Sequence, residues 1–127
     1  MQLNKKSKIF LAGHNGMVGR AIYTRLKKNG FLKIITVDKK KVNFLNQNDT
    51  NKYLNKIKPE FVIIAAAKVG GILANQNYGA EFIYQNLMIQ NNLIHSSYLS
   101  GVKNLFFWAQ VVFILNFVNN QLKSLIC

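Results

Sequence analysis

Three glycines with the spacing G-x-x-G-x-x-G constrain the fold more than any other feature of this sequence. Gly13, Gly16 and Gly19 link KIFLAG (8–13), which predicts a short buried strand, to MVGRAIYTRLKKNG (17–30), which predicts a helix. The first glycine allows a sharp turn, the second lets a pyrophosphate approach the backbone, and the third lets the helix pack closely on the sheet. The loop therefore predicts a dinucleotide-binding site, with phosphates at the helix N-terminus. Because no Gly-Lys-Ser/Thr follows, a P-loop is disfavoured.

The remaining sequence continues the alternation of strand and helix. Further strands are predicted at 33–38, 60–67 and 102–107, and further helices at 48–58 and 80–101. Asp49 or Thr50 is the expected cap of the helix at 48–58. This alternation predicts an α/β protein with a partial Rossmann fold: a parallel sheet of order 3-2-1-4, with helices on both faces.

Charge and composition restrict the partners. The 127 residues carry a net charge of +13, with 17 Lys and Arg against four acids. Such a balance favours anionic partners. The basic residues are dispersed and not interleaved with aromatic side chains, so solvated helix faces explain them better than a basic nucleic-acid-binding module does. The longest apolar run, Leu105 to Val118, is shorter than the about 20 residues of a membrane helix, so no membrane partner is expected. The single cysteine, Cys127, fits a cytoplasmic location.

The end of the second predicted strand leaves the cofactor choice open. Asp38 lies about 20 residues beyond the loop, where an acid accepts hydrogen bonds from the adenosine ribose and favours NAD. Lys39, Lys40 and Lys41 follow at once, and a cation there could pair with the 2′-phosphate of NADP. His14, within the loop, could contact phosphate, whereas His95 is expected to be a surface or packing residue.

Five stretches together resemble one family: AGHNGMVGRAI, VNFLN, AAAKVGGILAN, FIYQNLMIQNNLIH and GVKNLFF. From residue 8 to about 107 the sequence is similar to the GDP-L-fucose synthases, extended short-chain dehydrogenase/reductases that epimerise and reduce GDP-4-keto-6-deoxymannose. The resemblance implies NADP(H), with NAD(H) as the alternative, a GDP-sugar substrate and a homodimer. It makes residues 1–107 the N-terminal part of an NAD(P)-binding Rossmann domain and leaves 108–127 outside the family pattern.

The resemblance also assigns residues. Asn43 and Leu45 would lie beside the adenine, and the turn after the third strand would face the cofactor and lead to the substrate. The cofactor-binding set is Gly13, Asn15, Gly16, Met17, Val18, Gly19, Asp38, Lys39, Asn43, Leu45, Ala65, Ala66, Ala67, Lys68 and Asn86, and the substrate-binding pair is Val69 and Gly70. No metal site is predicted. Two positions weaken the NADP assignment: Asn15 replaces a usual family arginine, and Asp38 precedes Lys39, which matches a family arginine near the 2′-phosphate.

The catalytic residues of the family are not in their expected places. The resemblance implies a serine after the fourth strand, a nearby cysteine, a Tyr-x-x-x-Lys pair on the next helix and a later histidine. After Phe107 the family reads Leu-Gly-Ser-Ser-Cys-Ile-Tyr-Pro, whereas this chain reads WAQVVFIL. Tyr23 and Lys27 have the Tyr-x-x-x-Lys spacing but lie on the first predicted helix, at the pyrophosphate end, so we interpret them as structural. The chain alone is therefore predicted to be inactive.

A shifted reading frame would account for residues 108–127. Permitted codons for Phe107 onward, translated from the third base of the Phe107 codon, encode the family pattern Leu-Gly-Ser-Ser-Cys-Ile-Tyr-Pro. The hypothesis is a frameshifted, truncated synthase. The alternatives for the polypeptide itself are a non-catalytic dinucleotide-binding remnant or a product that does not fold.

Overall fold

Strands and helices alternate in the computed structural model, which describes residues 3–66 and 79–107. The strands are β1 (Lys8–Ala12), β2 (Lys33–Ile35), β3 (Phe61–Ile64) and β4 (Asn104–Phe107), and the helices are α1 (Met17–Lys28), α2 (Gln47–Ile57) and α3 (Gly79–Leu99). Every predicted element is present in its predicted place. The second and third strands are shorter than predicted: β2 ends three residues before Asp38, and β3 ends before the alanines that follow it.

The described strands form one parallel sheet in the order β2-β1-β3-β4. The predicted parallel α/β sheet of a partial Rossmann fold is confirmed, but its order is 2-1-3-4 rather than 3-2-1-4. Burial explains the difference. Val62 and Ile64 of β3 are buried, and such a strand belongs inside the sheet beside the fully buried β1. The short β2 exposes Lys33 and takes the edge instead.

The helices cover both faces of the sheet, as predicted. The chain moves from β1 to β2 in one direction and from β2 through β3 to β4 in the other. Right-handed crossovers therefore place α1 on one face, and α2 with α3 on the opposite face. The packing agrees, since α2 and α3 contact each other and the hydroxyl of Ser96 on α3 donates to the side-chain oxygen of Asn51 on α2.

The hydrophobic core lies between the sheet and the α2–α3 layer. The Phe10 ring of β1 makes edge-on contacts with the rings of Phe44 and Tyr53, at centroid distances of 6.1 and 5.5 Å. Leu54 of α2 and Leu93 of α3 are fully buried against the same strands. At one end of this core, the Asn92 side chain donates a hydrogen bond to the backbone carbonyl of Phe44 over 2.8 Å. This layer fixes the positions of the strand ends that carry the candidate site.

The cap of α2 differs from the prediction. Asn46 caps the helix, and its side-chain oxygen accepts a hydrogen bond from the Asp49 N–H over 3.0 Å. Asp49 lies instead in the first turn, where its charge complements the helix dipole. Thr50 is buried, and its hydroxyl donates to the Asn46 carbonyl. Among the described residues, no helix is long and apolar enough to cross a membrane.

Candidate cofactor-binding site

The first and third glycines of the loop are required by backbone packing. Gly13 follows β1 with a φ of +91°, and a Cβ there would lie 2.5 Å from the Cα of Ala66, beyond β3. A Cβ on Gly19 would lie 1.8 Å from the carbonyl oxygen of Gly13. The predicted sharp turn and the predicted close approach of the helix are therefore both present. Together they hold the start of α1 against the carboxyl ends of β1 and β3.

The second glycine differs from the other two. Among residues 3–66 and 79–107, the nearest atom that a Cβ on Gly16 would meet is the Gly13 carbonyl oxygen at 3.7 Å, and the φ of −74° at this position is open to any residue. Packing within the described part of the chain does not require glycine here. A ligand that approaches the backbone does require it, and so this position fits the predicted pyrophosphate contact.

The N-terminus of α1 is equipped to bind an anion. Gly16 is the N-cap and supplies no side-chain cap, and the first turn contains no acidic residue. The N–H groups of Met17, Val18 and Gly19 belong to the first turn, where an α-helix offers no intrahelical acceptor. These donors and the positive end of the helix dipole suit a diphosphate, so the residues present fit a dinucleotide cofactor.

The carboxylate of Asp38 lies beside this loop. The Asn15 side-chain amide is 3.5 Å from Asp38 Oδ1, and His14 Nε2 is 3.8 Å from the same oxygen. The Asp38 side chain is 60% exposed. An accessible carboxylate at the end of the second strand segment can accept hydrogen bonds from ribose hydroxyls. Within the described structure, His14 thus lies next to the Asp38 carboxylate. Lys39, the residue that follows Asp38, is exposed.

The segment assigned to the adenine forms a tight turn. The Asn43 side-chain oxygen accepts a hydrogen bond from the Leu45 N–H over 3.0 Å, while Phe44 between them is buried in the core. Asn43 is exposed and Leu45 is half-buried. The buried phenylalanine thus anchors the turn, and the two assigned residues stay near the surface.

The turn after β3 is described only in part. The Ala65 N–H donates to the Ala12 carbonyl over 2.9 Å, which extends the pairing of β3 with β1, and Ala66 packs on Gly13. Asn86 of α3 is buried. The other assigned residues, Ala67, Lys68, Val69 and Gly70, lie outside the described residues, as does the stretch from 108 to 127.

A basic groove along α1 continues from the loop, and the sequence interpretation missed it. It has a cavity volume of about 670 Å³ and is lined by Asn15, Met17, Arg20, Ala21, Thr24, Arg25 and Lys28. Its lining contains cations and no carboxylate. The signal was the helical spacing of positions 17, 20, 21, 24, 25 and 28, which places these side chains on adjoining strips of one helix surface.

Other marked residues have structural positions. Tyr23 and Lys27 both lie on α1, with the Lys27 ammonium 5.7 Å from the centroid of the Tyr23 ring. This is a cation–π contact within one helix. His95 is exposed on α3, as expected. Within residues 3–66 and 79–107, no group of His, Cys, Asp and Glu side chains could hold a metal ion.

Comparison with known proteins identifies the family. The pattern of the NAD dependent epimerase/dehydratase family matches residues 9–111. The chain belongs to this family. Among family members, it is 47% identical over 104 residues to GDP-L-fucose synthase 1 from Arabidopsis thaliana, and 40% identical over 102 residues to the GDP-L-fucose synthase of Escherichia coli (strain K12). These matches cover 82% and 80% of this chain but 32% of each relative, so the chain spans about a third of their length.

Solved structures of similar proteins have the same fold. A GDP-mannoheptose C4 reductase from Campylobacter jejuni with NADP bound matches 84% of this chain and 33% of its own, with a TM-score of 0.78 and 40% identity. A GDP-L-fucose synthetase from Naegleria fowleri bound to NADP matches 84% of this chain and 34% of its own, with a TM-score of 0.71 and 27% identity. The resemblance to GDP-L-fucose synthases and the Rossmann-like fold are therefore confirmed.

Proposed function

We propose that this chain is the dinucleotide-binding part of an NADP(H)-dependent epimerase and reductase that converts GDP-4-keto-6-deoxy-D-mannose to GDP-L-fucose. The glycine loop carries the proposal: Gly13 and Gly19 are required by packing, whereas Gly16 makes sense through a ligand at the backbone. The similarity to GDP-L-fucose synthases and to reductases with bound NADP supports the substrate class and the cofactor. A cytoplasmic location fits this chemistry.

Each part of the site has its own role in the proposal. The N–H groups of the first turn of α1, Met17 to Gly19, donate to the pyrophosphate, and Asp38 orients the adenosine ribose. Asn43 and Leu45 flank the adenine, and Lys39 adds positive charge beside the ribose. In the proposal, Ala65 to Lys68 and Asn86 contribute to cofactor binding, and Val69 and Gly70 contribute to substrate binding. The bound nicotinamide supplies the hydride.

Binding of the dinucleotide can be tested directly on the 127-residue chain. We expect saturable binding of NADPH at one site, measured by the change in its fluorescence, by a chain that unfolds cooperatively. A cooperatively folded chain that does not bind NADPH or NADH would contradict the proposal. Binding of DNA with a steep salt dependence in place of the dinucleotide would favour the basic nucleic-acid-binding module instead. A chain with no cooperative unfolding transition would support the non-folding alternative.

We propose further that this chain alone is a non-catalytic remnant, and that residues 108–127 come from a shifted reading frame. The family match ends at residue 111, close to the proposed shift after Phe107, which supports this interpretation. Sequencing the gene across the Phe106 and Phe107 codons tests it: the alternate frame should encode Gly-Ser-Ser-Cys. The chain as given should bind NADPH without oxidising it in the presence of the keto sugar, and the frame-corrected protein should oxidise it.

We propose a homodimer as the assembled state, supported by an apolar stripe on α3. Tyr84, Leu87, Ile94 and Tyr98 recur at helical spacing, and each is between 42% and 77% exposed. Sedimentation equilibrium tests the proposal. Leu87→Glu should weaken the dimer, because it places a charge in the apolar contact. Leu32→Glu is the matched control, since Leu32 is 70% exposed and precedes β2, at the other side of the sheet. A wild-type monomer at all concentrations would contradict the dimer.

A further inference from the structure

Arg20 lies where helix energetics do not favour a cation. It lies close to the N-terminus of α1, which begins at Met17, and therefore near the positive end of the helix dipole. The first turn of this helix contains no acidic residue. Arg20 is exposed, and no carboxylate lies within ion-pair distance of it among the described residues. An anion that binds at the same end of the helix would offset the unfavourable interaction of this cation with the helix dipole.

The Arg20 guanidinium extends back toward the glycine loop. Its Nη2 donates to the backbone carbonyl of Asn15 over 3.4 Å. The side chain of the same Asn15 reaches Asp38 over 3.5 Å. One loop residue therefore connects the guanidinium with the carboxylate expected to bind the ribose. The long Asn15 contact leaves the other guanidinium donors available to a ligand.

We propose that Arg20 binds the 2′-phosphate of NADP(H) and sets the preference for NADP(H) over NAD(H). The inference rests on the proposed dinucleotide binding. Asp38 by itself favours a 2′-hydroxyl, because a carboxylate accepts its hydrogen bond and repels a phosphate. Arg20 reverses this preference by supplying a charged, planar pair of donors that matches phosphate oxygens.

The groove along α1 supports an anionic ligand at this place. Its cations, Arg20, Arg25 and Lys28, follow one helix surface away from Asn15. With a rise of about 1.5 Å per residue, Arg25 and Lys28 lie about 7 and 12 Å further along the axis than Arg20. Arg20 therefore contacts the phosphate in the proposal, while the other two only raise the local potential.

The experiment compares Arg20→Gln with Arg25→Gln, a matched variant in the same groove. Isothermal titration calorimetry would measure dissociation constants for NADP+, NAD+ and the fragment 2′,5′-ADP at fixed salt. Arg20→Gln should weaken NADP+ and 2′,5′-ADP by about 10- to 100-fold and change NAD+ by less than about threefold. Arg25→Gln should change all three by less than about threefold, because its contribution is screened. Equal unfolding midpoints for the two variants would exclude a folding defect.

Several outcomes would overturn the inference. An equal loss for NADP+ and NAD+ in Arg20→Gln would show that Arg20 only shapes the loop. A selective loss of NADP+ in Lys39→Gln, with none in Arg20→Gln, would assign the phosphate to the lysine turn. A wild-type chain that binds NAD+ more tightly than NADP+ would overturn the inference but leave dinucleotide binding intact. A wild-type chain that binds neither cofactor would overturn the proposed function itself.

Discussion

The inner strands of the sheet and its outer edge are stabilised in different ways. β1 lies between β2 and β3, its apolar residues are fully buried, and the loop that follows it is locked by backbone contacts of Gly13 and Gly19. At the outer edge, Leu105, Phe106 and Phe107 of β4 are 37–57% exposed. The glycine loop of the proposed cofactor site thus depends on backbone contacts within residues 3–66. The edge strand β4, in contrast, leaves apolar side chains exposed.

The largest expected effect comes from a methyl group at Gly19. Gly19→Ala would place its Cβ 1.8 Å from the Gly13 carbonyl oxygen. Because that oxygen belongs to the backbone, the clash can be relieved only if the turn opens. We expect a loss of about 4 kcal/mol or more in the free energy of unfolding, measured by urea denaturation. Gly16→Ala is the control, because its Cβ has space. It should cost less than about 1 kcal/mol of stability and yet weaken NADPH binding. Equal destabilisation by both variants would contradict the distinction between the two glycines.

The second largest effect separates the core from the edge. Leu54→Ala removes a side chain that is fully buried between α2 and the sheet, and should cost about 2–5 kcal/mol because a cavity remains. Leu105→Ala makes the same change in β4, where the side chain is 38% exposed. It should cost less than about 1.5 kcal/mol, since part of that surface stays in water. Both losses in the free energy of unfolding are obtained from denaturant midpoints, with one slope of free energy against denaturant concentration used for all the variants. Similar losses would mean that the edge is packed as tightly as the core.

Much of this inner region follows from the sequence, because its determinants are local. Each strand and helix next to the loop could be predicted from periodicity, and steric need fixes Gly13 and Gly19. The strand order depends on which distant strand reaches the free edge of β1, and local pattern carries little of that information. The cap was missed because a run of polar residues begins at Asn46 and continues into the helix, so several of them could serve as the cap, and the geometry of the folded chain selects Asn46.

Arg20 could not be assigned from the sequence for a different reason. Helical spacing shows only that the residue is exposed. Its relation to the site depends on the direction of a long, flexible side chain, which here returns to the Asn15 carbonyl. The sequence also shows that Asp38 is near the end of a strand, but the contact with Asn15 requires two separate loops to meet. Side-chain direction and the meeting of loops are products of the folded chain.

A smaller effect is expected at the exposed edge itself. Phe106 is 57% exposed on β4, a strand with high β propensity. Phe106→Thr replaces the ring with a β-branched residue that also favours strands, and should change the free energy of unfolding by less than about 1 kcal/mol. It should also lower self-association, measured by static light scattering against concentration. Ile63→Thr, at the residue paired with Phe106 in β3, is the inner counterpart and should destabilise the fold more. Unchanged self-association of Phe106→Thr would show that the chain does not associate through the β4 edge.

The smallest expected effect tests the core under alkaline conditions. Burial raises the pKa of Tyr53 above its usual value of 10.0, so the folded chain holds the phenolic proton more tightly than the unfolded chain does. This contribution to stability is present below pH 10 and is lost as pH rises through the folded pKa, because the unfolded chain ionises first. Tyr53→Phe keeps the ring contact with Phe10 and removes the titration.

The two proteins should therefore unfold alike at pH 8, while above pH 10 the free energy of unfolding of the wild type should fall more steeply than that of Tyr53→Phe. Tyr98→Phe is the control, because that side chain is 77% exposed on α3, and it should follow the wild-type curve. Parallel curves for wild type and Tyr53→Phe up to pH 11 would mean that the Tyr53 hydroxyl reaches water in the folded state. The α2 layer would then cover β1 less tightly than the burial of Leu54 indicates.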